Sequence, residues 1–244
     1  MALLEIQALS KRFGGIVAVD GCSFSVEEGS ITALIGPNGA GKTTVFNMIS
    51  GLIKPDQGNI LFEDRPITNL KPHRITRQGV SRTFQITRDL KEMTLLENLV
   101  IHSPTAGFKD LFLGSVLDHE REKALELLEF VGISHLAEEK AKNLSYGQKK
   151  LMEFAATLMT DPKLVLLDEP AGGVNPALLE DILERITMLN KRGVTFFIVE
   201  HNMDVVMNLC SPVVVMAYGK VIAQGAPGEI QMNQAVLEAY LGES

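Results

Sequence analysis

The sequence predicts an α/β fold with a mainly parallel sheet. Short apolar runs rich in Val, Ile and Phe alternate along the chain with amphipathic segments, which is the pattern of strands that alternate with helices. One of these runs, KLVLLDE (163–169), is apolar up to its acidic end, as expected for a strand buried on both faces of a parallel sheet. The length of 244 residues fits one large domain that carries a subdomain.

Composition and charge narrow the class further. The chain is 45% hydrophobic and 22% charged, which is ordinary for a globular protein. Its net charge of -7 argues against a nucleic-acid-binding protein, because such proteins usually present a basic surface. The two cysteines, Cys22 and Cys210, are too few for a disulfide framework and favour a reducing compartment.

We also expect no membrane-spanning segment and no signal peptide. No apolar run approaches the roughly 18 residues that a spanning helix needs, and the first residues lack a basic region and are interrupted by Glu5. The chain is therefore expected to be soluble on its own and able to dock on a membrane protein.

The first part of the chain predicts strands on both sides of one helix. SITALIG (30–36) is predicted to be a buried strand, and GKTTVFNMISGL (41–52) a helix that begins near Gly41. GNILFED (58–64) and GVSRTFQ (79–85) follow as strands, the second ending at Gln85.

Residues from about 86 to 160 predict helices and almost no strand. Thr94 followed by Glu97 forms a capping-box pattern. SVLDHEREKALELLEFVG (115–132) places Leu125, Leu128 and Val131 at helical spacing, and SYGQKKLMEFAATLM (145–159) is again helical. We therefore divide the single domain (1–244) into an α/β core of about 1–85 and 161–244 and an inserted helical subdomain of about 86–160.

Strands and helices alternate again after residue 160. NPALLEDILERITMLNKRG (175–193) is a helix with Pro176 near its first position and Gly193 after its end. VTFFIVEH (194–201) is the next strand, SPVVVMAYGKVIAQG (211–225) is two strands joined at Tyr218 and Gly219, and NQAVLEAYLG (233–242) is helical.

A phosphate-binding loop (P-loop) is predicted between the first of these strands and its helix. GPNGAGKT fits the pattern G-x-x-x-x-G-K-[ST]. Glycines allow successive N–H groups to point at an anion, and the helix start favours negative charge. We expect Lys42 to reach the β- and γ-phosphates and the Thr43 hydroxyl to hold Mg²⁺. The predicted loop residues are Gly36, Pro37, Asn38, Gly39, Ala40, Gly41, Lys42, Thr43 and Thr44. The alternative is a glycine-rich turn that only caps a helix.

Two carboxylates end the strand LVLLDEP (164–170). Asp168 is placed to approach the metal. Glu169 points the other way on an extended strand, and it could polarise a water that attacks the γ-phosphate. The alternative is a solvated acidic turn before Pro170. A guanine-binding N-K-x-D motif is not evident, since the nearest match, NKRG (190–193), lacks the aspartate, so GTP is not the expected nucleotide.

Further motifs identify the chain as resembling the ABC-type ATPases. LSYGQKK (144–150) resembles the family's signature motif. Its Ser145 lies 19 residues before Leu164, the first residue of LVLLDEP, which is the family's spacing. RTFQ (82–85) resembles the Q-loop with Gln85, IVEHN (198–202) the switch histidine segment with His201, and KRFGG (11–15) the adenine-stacking loop with Phe13. These motifs keep the family's order from residue 11 to residue 202.

The resemblance implies an architecture and a set of roles. The fold would be a P-loop NTPase core with a mainly parallel sheet, an N-terminal antiparallel β subdomain and an inserted helical subdomain. Two such domains would enclose two ATP molecules head to tail. The implied roles are nucleotide binding by Phe13; catalysis by Glu169, His201 and Gln85; metal binding by Thr43, Gln85 and Asp168; and contact with the partner chain's ATP by Ser145, Tyr146, Gly147 and Gln148.

The residues themselves are compatible with these roles. Ser145 and Gly147 are predicted to precede a helix, where a hydroxyl and backbone N–H groups can bind an anion. Without the motif, His201 would be an ordinary core or surface histidine, and Phe13 either core or ligand contact. Two positions depart from the common family pattern: Tyr146 stands in place of a glycine of the signature motif, and Asn175 in place of an aspartate in the loop that, by the resemblance, couples the two ATP sites.

The resemblance extends to one group of transporters. RFGGIVAVD, RTFQ followed by EMTLLENL, EPAGGVNP, VEHNMDVVM and AYLGES look like the ATPase subunits of bacterial branched-chain amino-acid importers, with urea-type importers and lipopolysaccharide export as close relatives. The implied partners are integral-membrane permease subunits, a second ATPase chain (a copy or a related subunit) and, indirectly, a solute-binding protein, with no nucleic acid. The implied location is the cytoplasmic face of a bacterial or archaeal inner membrane.

Other classes remain as alternatives. Soluble ABC-type ATPases of translation usually carry two ATPase units in one chain, whereas this sequence shows one. Those of chromosome maintenance need a long heptad-rich insert, for which 244 residues leave no room. A third alternative is an assembly module that binds ATP without hydrolysing it, against which Glu169 and His201 argue.

Overall fold

The computed structural model describes residues 1–83, 90–103 and 118–241. Within this part a six-stranded sheet has the order β10-β9-β3-β8-β7-β6. Its strands are β3 (Ile31–Ile35), β6 (Val80–Arg82), β7 (Leu164–Asp168), β8 (Thr195–Val199), β9 (Val213–Ala217) and β10 (Lys220–Gly225). All neighbours pair in parallel except β9 and β10, so the predicted mainly parallel sheet is confirmed.

A second sheet is formed by the N-terminal strands. Its order is β2-β1-β4-β5, and its pairs are antiparallel. The strands are β1 (Ala2–Phe13), β2 (Ile16–Glu27), β4 (Gln57–Phe62) and β5 (Arg65–Pro66). The antiparallel N-terminal sheet that the family resemblance implies is therefore present.

The described helices follow the predicted segments. They are α1 (Lys42–Ile49), α2 (Pro72–Thr76), α3 (Leu95–Val100), α4 (Asp118–Phe130), α5 (Tyr146–Leu158), α6 (Pro176–Lys191), α7 (Met203–Leu209), α8 (Pro227–Gln231) and α9 (Gln234–Leu241), with 3₁₀ turns at Ser134–Leu136 and Ala141–Asn143. None of the described helices is long and apolar enough to cross a membrane.

The described part of the region between β6 and β7 consists of helices and turns. Thr94 caps α3 with the predicted capping box, since its side chain accepts from the Glu97 N–H and the Glu97 side chain accepts from the Thr94 N–H. In α4 the buried stripe differs by one position from the prediction. Leu128 is buried, but Ala124 takes the place expected for Leu125, which is 37% exposed.

Two hydrophobic cores lie on opposite faces of the mainly parallel sheet. Along β7, Val165 and Leu167 belong to one core and Leu164 and Leu166 to the other, as strand alternation requires. The first core also contains the apolar face of α5, and the second contains that of α1. The helices that begin with the signature motif and with the P-loop lysine are therefore packed on opposite sides of one sheet.

Candidate nucleotide-binding site

The P-loop connects β3 to α1, and packing fixes its glycines. Gly36 has φ +145°, and a Cβ there would lie 2.0 Å from the carbonyl oxygen of Met216. Gly41 has φ +101°, and its Cβ would lie 2.4 Å from the carbonyl oxygen of Ala18. Both positions therefore exclude a side chain by conformation and by contact. The loop is held in shape by the strands around it.

Lys42 is the first residue of α1 and is only 5% exposed. Its Nζ donates to the carbonyl oxygens of Gly36 (2.7 Å) and Pro37 (2.8 Å). The ammonium group thus lies inside the curve of the loop, where a triphosphate would supply anionic partners. The remaining loop residues divide by exposure: Asn38, Gly39 and Thr43 are exposed, Thr44 is half-buried, and Pro37 and Ala40 are buried.

Phe13 lies at the end of β1 and is 47% exposed. Nζ of Lys11 lies 5.7 Å from its ring centroid. An exposed aromatic face next to a cation can stack on a planar base. The structure therefore leaves the predicted adenine contact possible at this position.

Asp168 ends β7 and is 2% exposed. Its Oδ2 lies 2.8 Å from Nη2 of Arg82, while Nη1 of Arg82 donates to Oδ1 of Asn47 (2.7 Å) and Oγ of Ser50 (2.9 Å). Arg82 thereby ties α1 to the strand that carries Asp168. Because buried charges are costly without partners, this ion pair orients the carboxylate as well as neutralising it.

Glu169 has a left-handed backbone with φ +50°. The extended backbone expected at this position is therefore not found, since the strand ends at Asp168. Its N–H donates to the carbonyl oxygen of Val199 (2.9 Å), and this contact holds the turn. A non-glycine residue in this conformation is often found at functional sites.

His201 and Glu169 form a pair. Nε2 of His201 lies 3.0 Å from Oε1 of Glu169, with side chains 45% and 30% exposed. The two residues come from the ends of the neighbouring strands β8 and β7, which pair in parallel. The fold thus brings together two of the three residues that the family resemblance predicts for catalysis, on a surface that water can reach.

The signature motif forms the start of α5. Ser145 is the N-cap: its Oγ accepts from the Gln148 N–H (3.3 Å), and the Gln148 side chain accepts from the Ser145 N–H (2.8 Å). The sequence predicts Gly147 before this helix, but the residue lies within the first turn of the helix. A Cβ there would lie 2.5 Å from Cδ2 of Leu178, so this glycine allows α5 and α6 to pack closely.

A cleft of about 530 Å³ opens in front of this turn. It is lined by the signature motif, by residues 173–175 of the loop 170–175, which connects Glu169 to α6, and by the first turns of α6. Tyr146 is 49% exposed at its edge. Gln85, predicted for catalysis and metal binding, lies outside the described residues.

The comparison with known families agrees with these features. The sequence model of the ABC transporter family matches residues 19–172, and that of the branched-chain amino acid ATP-binding cassette transporters matches residues 220–244. The chain belongs to the ABC transporter family. The resemblance seen in the sequence is therefore confirmed, and the chain is an ATPase whose activity serves transport.

Two curated relatives span this ABC ATPase almost completely. The probable branched-chain amino acid transport ATP-binding protein LivG of Archaeoglobus fulgidus is 47% identical, over 99% of this chain and 96% of its own length. The high-affinity branched-chain amino acid transport ATP-binding protein BraF of Pseudomonas aeruginosa is 40% identical, over 99% and 98%.

Solved structures of ABC cassettes have the same fold. A nucleotide-free ATP-binding cassette from an ABC transporter is 40% identical with a TM-score of 0.88, covering 98% of this chain and 99% of its own. A cassette in its ADP conformation has the same identity and TM-score, covering 99% of both chains. The predicted fold class is thus confirmed.

Glu200 is a residue of this ABC ATPase that sequence reasoning missed. It is 2% exposed; its Oε1 accepts from the Ala171 N–H (2.8 Å), and its Oε2 accepts from the N–H groups of His201 (2.8 Å) and Asn202 (3.0 Å). It therefore ties the loop 170–175 to the turn that carries His201. The sequence feature that could have identified it is its position as an acidic residue directly after the apolar strand β8. Arg82, which stands inside RTFQ, was also missed.

Asn175, which stands where the common family pattern has an aspartate, is the N-cap of α6. Its Oδ1 accepts from the Leu178 N–H (2.9 Å) at the start of α6, and asparagine and aspartate cap helices about equally well. Pro176 occupies the first turn of α6, as predicted.

Proposed function

We propose that the chain is the ATP-hydrolysing subunit of an importer for branched-chain or related amino acids. The observation that carries this proposal is the 47% identity, over 99% of the chain, to a protein named for branched-chain amino acid transport. The match of the C-terminal residues 220–244 to the same group of transporters supports it.

Glu169 is the proposed general base. Its carboxylate accepts a proton from the water that attacks the γ-phosphate, and His201, 3.0 Å away, holds that carboxylate in one orientation. General-base catalysis requires the acceptor within hydrogen-bond reach of the water. The exposed side of the pair allows a water and a γ-phosphate to enter. Lys42 and the partner chain's signature motif stabilise charge on the phosphoryl group.

The chemistry of the proposed metal ligands suits Mg²⁺. The hydroxyl of Thr43 is exposed at the start of α1, and the carboxylate of Asp168 and the side chain of Gln85 are the other proposed ligands. All three offer oxygen, which Mg²⁺ prefers, and phosphates usually complete its coordination. When bound, Mg²⁺ would neutralise charge on the β- and γ-phosphates.

The position of the two helix starts supports a two-chain assembly. Because α1 and α5 pack against opposite faces of the sheet, one chain does not present both starts to a single nucleotide. Each start can bind an anion. Two chains placed head to tail would let the P-loop of one and the signature motif of the other contact the same ATP, and the second chain is a copy or a related subunit.

A groove of about 250 Å³ is the proposed docking place for a permease subunit. It is lined from one side by residues of the core, such as Ile75 and Arg82, and from the other by residues of the helical region, such as Asn98 and Met152. It lies next to Thr83, just before the segment that contains Gln85. A permease element bound there would contact both the core and the helical region, and it would be displaced when one moves relative to the other. We propose in addition that the chain lies peripherally at the cytoplasmic face of the membrane, where such a permease element would be reached.

The proposal is tested by capturing the tagged chain from gently solubilised membranes. We expect two multi-helix permeases, a second ATPase and a solute-binding protein that binds leucine, isoleucine or valine in calorimetry. Recovery of a binding protein specific for urea, or of a lipid-export complex, would show that the cargo is not a branched-chain amino acid. Recovery of no membrane protein would contradict the transport role.

A further inference from the structure

Tyr146 joins the signature motif to the loop 170–175. Its hydroxyl donates a hydrogen bond of 3.1 Å to the carbonyl oxygen of Gly172. Nζ of Lys150, one turn further along α5, lies 5.8 Å from the ring centroid. The ring therefore lies over the loop, although half of its surface is open to solvent.

The loop is shaped to accept the ring. Gly173 has φ +71°, and a Cβ there would lie 3.0 Å from Cε1 of Tyr146. A side chain at position 173 would thus meet an unfavourable backbone conformation and the tyrosine ring. The large residue in the signature motif is matched by a glycine on the facing loop.

The same loop leads back to Glu169. The Gly172 N–H donates to the carbonyl oxygen of Glu169 (2.9 Å), and a Cβ on Gly172 would lie 3.1 Å from that oxygen. The next contact is between the Ala171 N–H and Glu200. Because the loop is anchored by Glu200 and packed against Glu169, a displacement at Gly172 must change the backbone that carries Glu169.

We propose that Tyr146 is a positioning residue that couples Glu169 in one ATP site to the occupancy of the other site. The inference rests on the proposed function, in which the start of α5 contacts the ATP of the partner chain. A γ-phosphate that binds Ser145 and the first-turn N–H groups shifts this turn. The Tyr146 hydroxyl transmits the shift to the Gly172 carbonyl and so to Glu169.

The test is Tyr146→Phe in the complex captured with the tagged chain. The variant keeps the ring and removes only the hydroxyl. We expect kcat for ATP to fall roughly two- to tenfold, the range that a neutral hydrogen bond can account for. The Hill coefficient for ATP should fall towards 1. The ATP affinity of the isolated chain should stay unchanged, since in a single chain it reports on the P-loop.

Tyr218→Phe is the matched control. It removes the same hydroxyl from a tyrosine that is 79% exposed in the turn between β9 and β10, and it should leave kcat and the Hill coefficient as in the wild type. The thermal unfolding midpoint of Tyr218→Phe should equal that of the wild type, and that of Tyr146→Phe should fall by no more than about 2–4 °C, because one neutral hydrogen bond is lost.

The possible outcomes separate the inference from the proposed function. If Tyr146→Phe matches the wild type in kcat and Hill coefficient, or if the wild type itself shows no cooperativity, the coupling role is overturned while ATP hydrolysis stands. If the variant also loses ATP affinity as an isolated chain, its effect is structural and the positioning role is rejected. A wild-type complex without ATPase activity would instead overturn the proposed function.

Discussion

At the scale of single residues, the site depends on side chains whose partners come from distant parts of the sequence. Arg82 orients Asp168, and Glu200 ties the loop 170–175 to His201. Glu169 combines a strained backbone with a direct contact to His201. These contacts fix the orientation of the carboxylate that is proposed as the general base.

Glu169→Gln should separate ATP binding from ATP hydrolysis. Glutamine keeps the size of the side chain but cannot accept the proton of the attacking water, so we expect kcat to fall by about 10²- to 10⁴-fold. ATP affinity, measured by calorimetry, should stay close to that of the wild type, because the substitution keeps the size of the side chain and leaves the P-loop unchanged. Glu126→Gln, at an exposed position of α4, is the matched control. Turnover at the wild-type rate in Glu169→Gln would show that another group serves as the base.

At the scale of elements, two helices begin with the same capping arrangement. Thr94 caps α3 and Ser145 caps α5, each with a reciprocal contact from the residue three positions on. Only the second cap faces the cleft beside the loop 170–175. The two caps therefore allow the stabilising role of a cap to be distinguished from anion binding.

Thr94→Ala and Ser145→Ala should destabilise the chain to a similar extent. Loss of an N-cap side chain lowers the free energy of unfolding by about 1 kcal/mol, which urea denaturation can measure. Only Ser145→Ala should also lower kcat in the captured complex, because its hydroxyl is proposed to contact the partner's ATP. Equal kcat in the two variants would argue against a role for Ser145 beyond the cap.

At the scale of the whole molecule, local sequence patterns were sufficient to predict the strands, the helices and the P-loop. Hydrophobic alternation, capping residues and glycine spacing are local signals, and each predicted strand or helix within the described residues is present. The features that the sequence did not predict depend on contacts between residues that are far apart in the chain. The conformation of Glu169 depends on Val199, and the buried partner of Asp168 is 86 residues away. No pattern within one segment encodes such contacts.

The buried thiols give a test of the whole fold. Burial raises the pKa of both Cys22 and Cys210 to about 12, and for Cys210 the charge of Glu200 adds to it. In the unfolded chain a thiol ionises near pH ~8.5. The unfolded state therefore loses these protons first, and the stability present below that pH should decrease as the pH rises towards 12.

A thiol reagent at neutral pH should not react with the folded chain and should label both cysteines after unfolding in urea. Glu126→Cys, which places a thiol on the exposed side of α4, is the positive control and should react in the folded state. Rapid labelling of the folded wild type would mean that one of the two cores opens readily.

The opposite positions of α1 and α5 across the sheet also have a genetic consequence. An allele carrying Lys42→Ala damages one half of a shared site, and an allele carrying Ser145→Ala damages the other half. If two copies of this chain pair, a cell with both alleles assembles some pairs that contain one intact site, and growth that depends on the transporter should be partly restored. If the natural partner is a related ATPase, the two alleles never meet in one pair and growth is not restored. Complementation between alleles thus reveals which chain stands opposite this one in the cell.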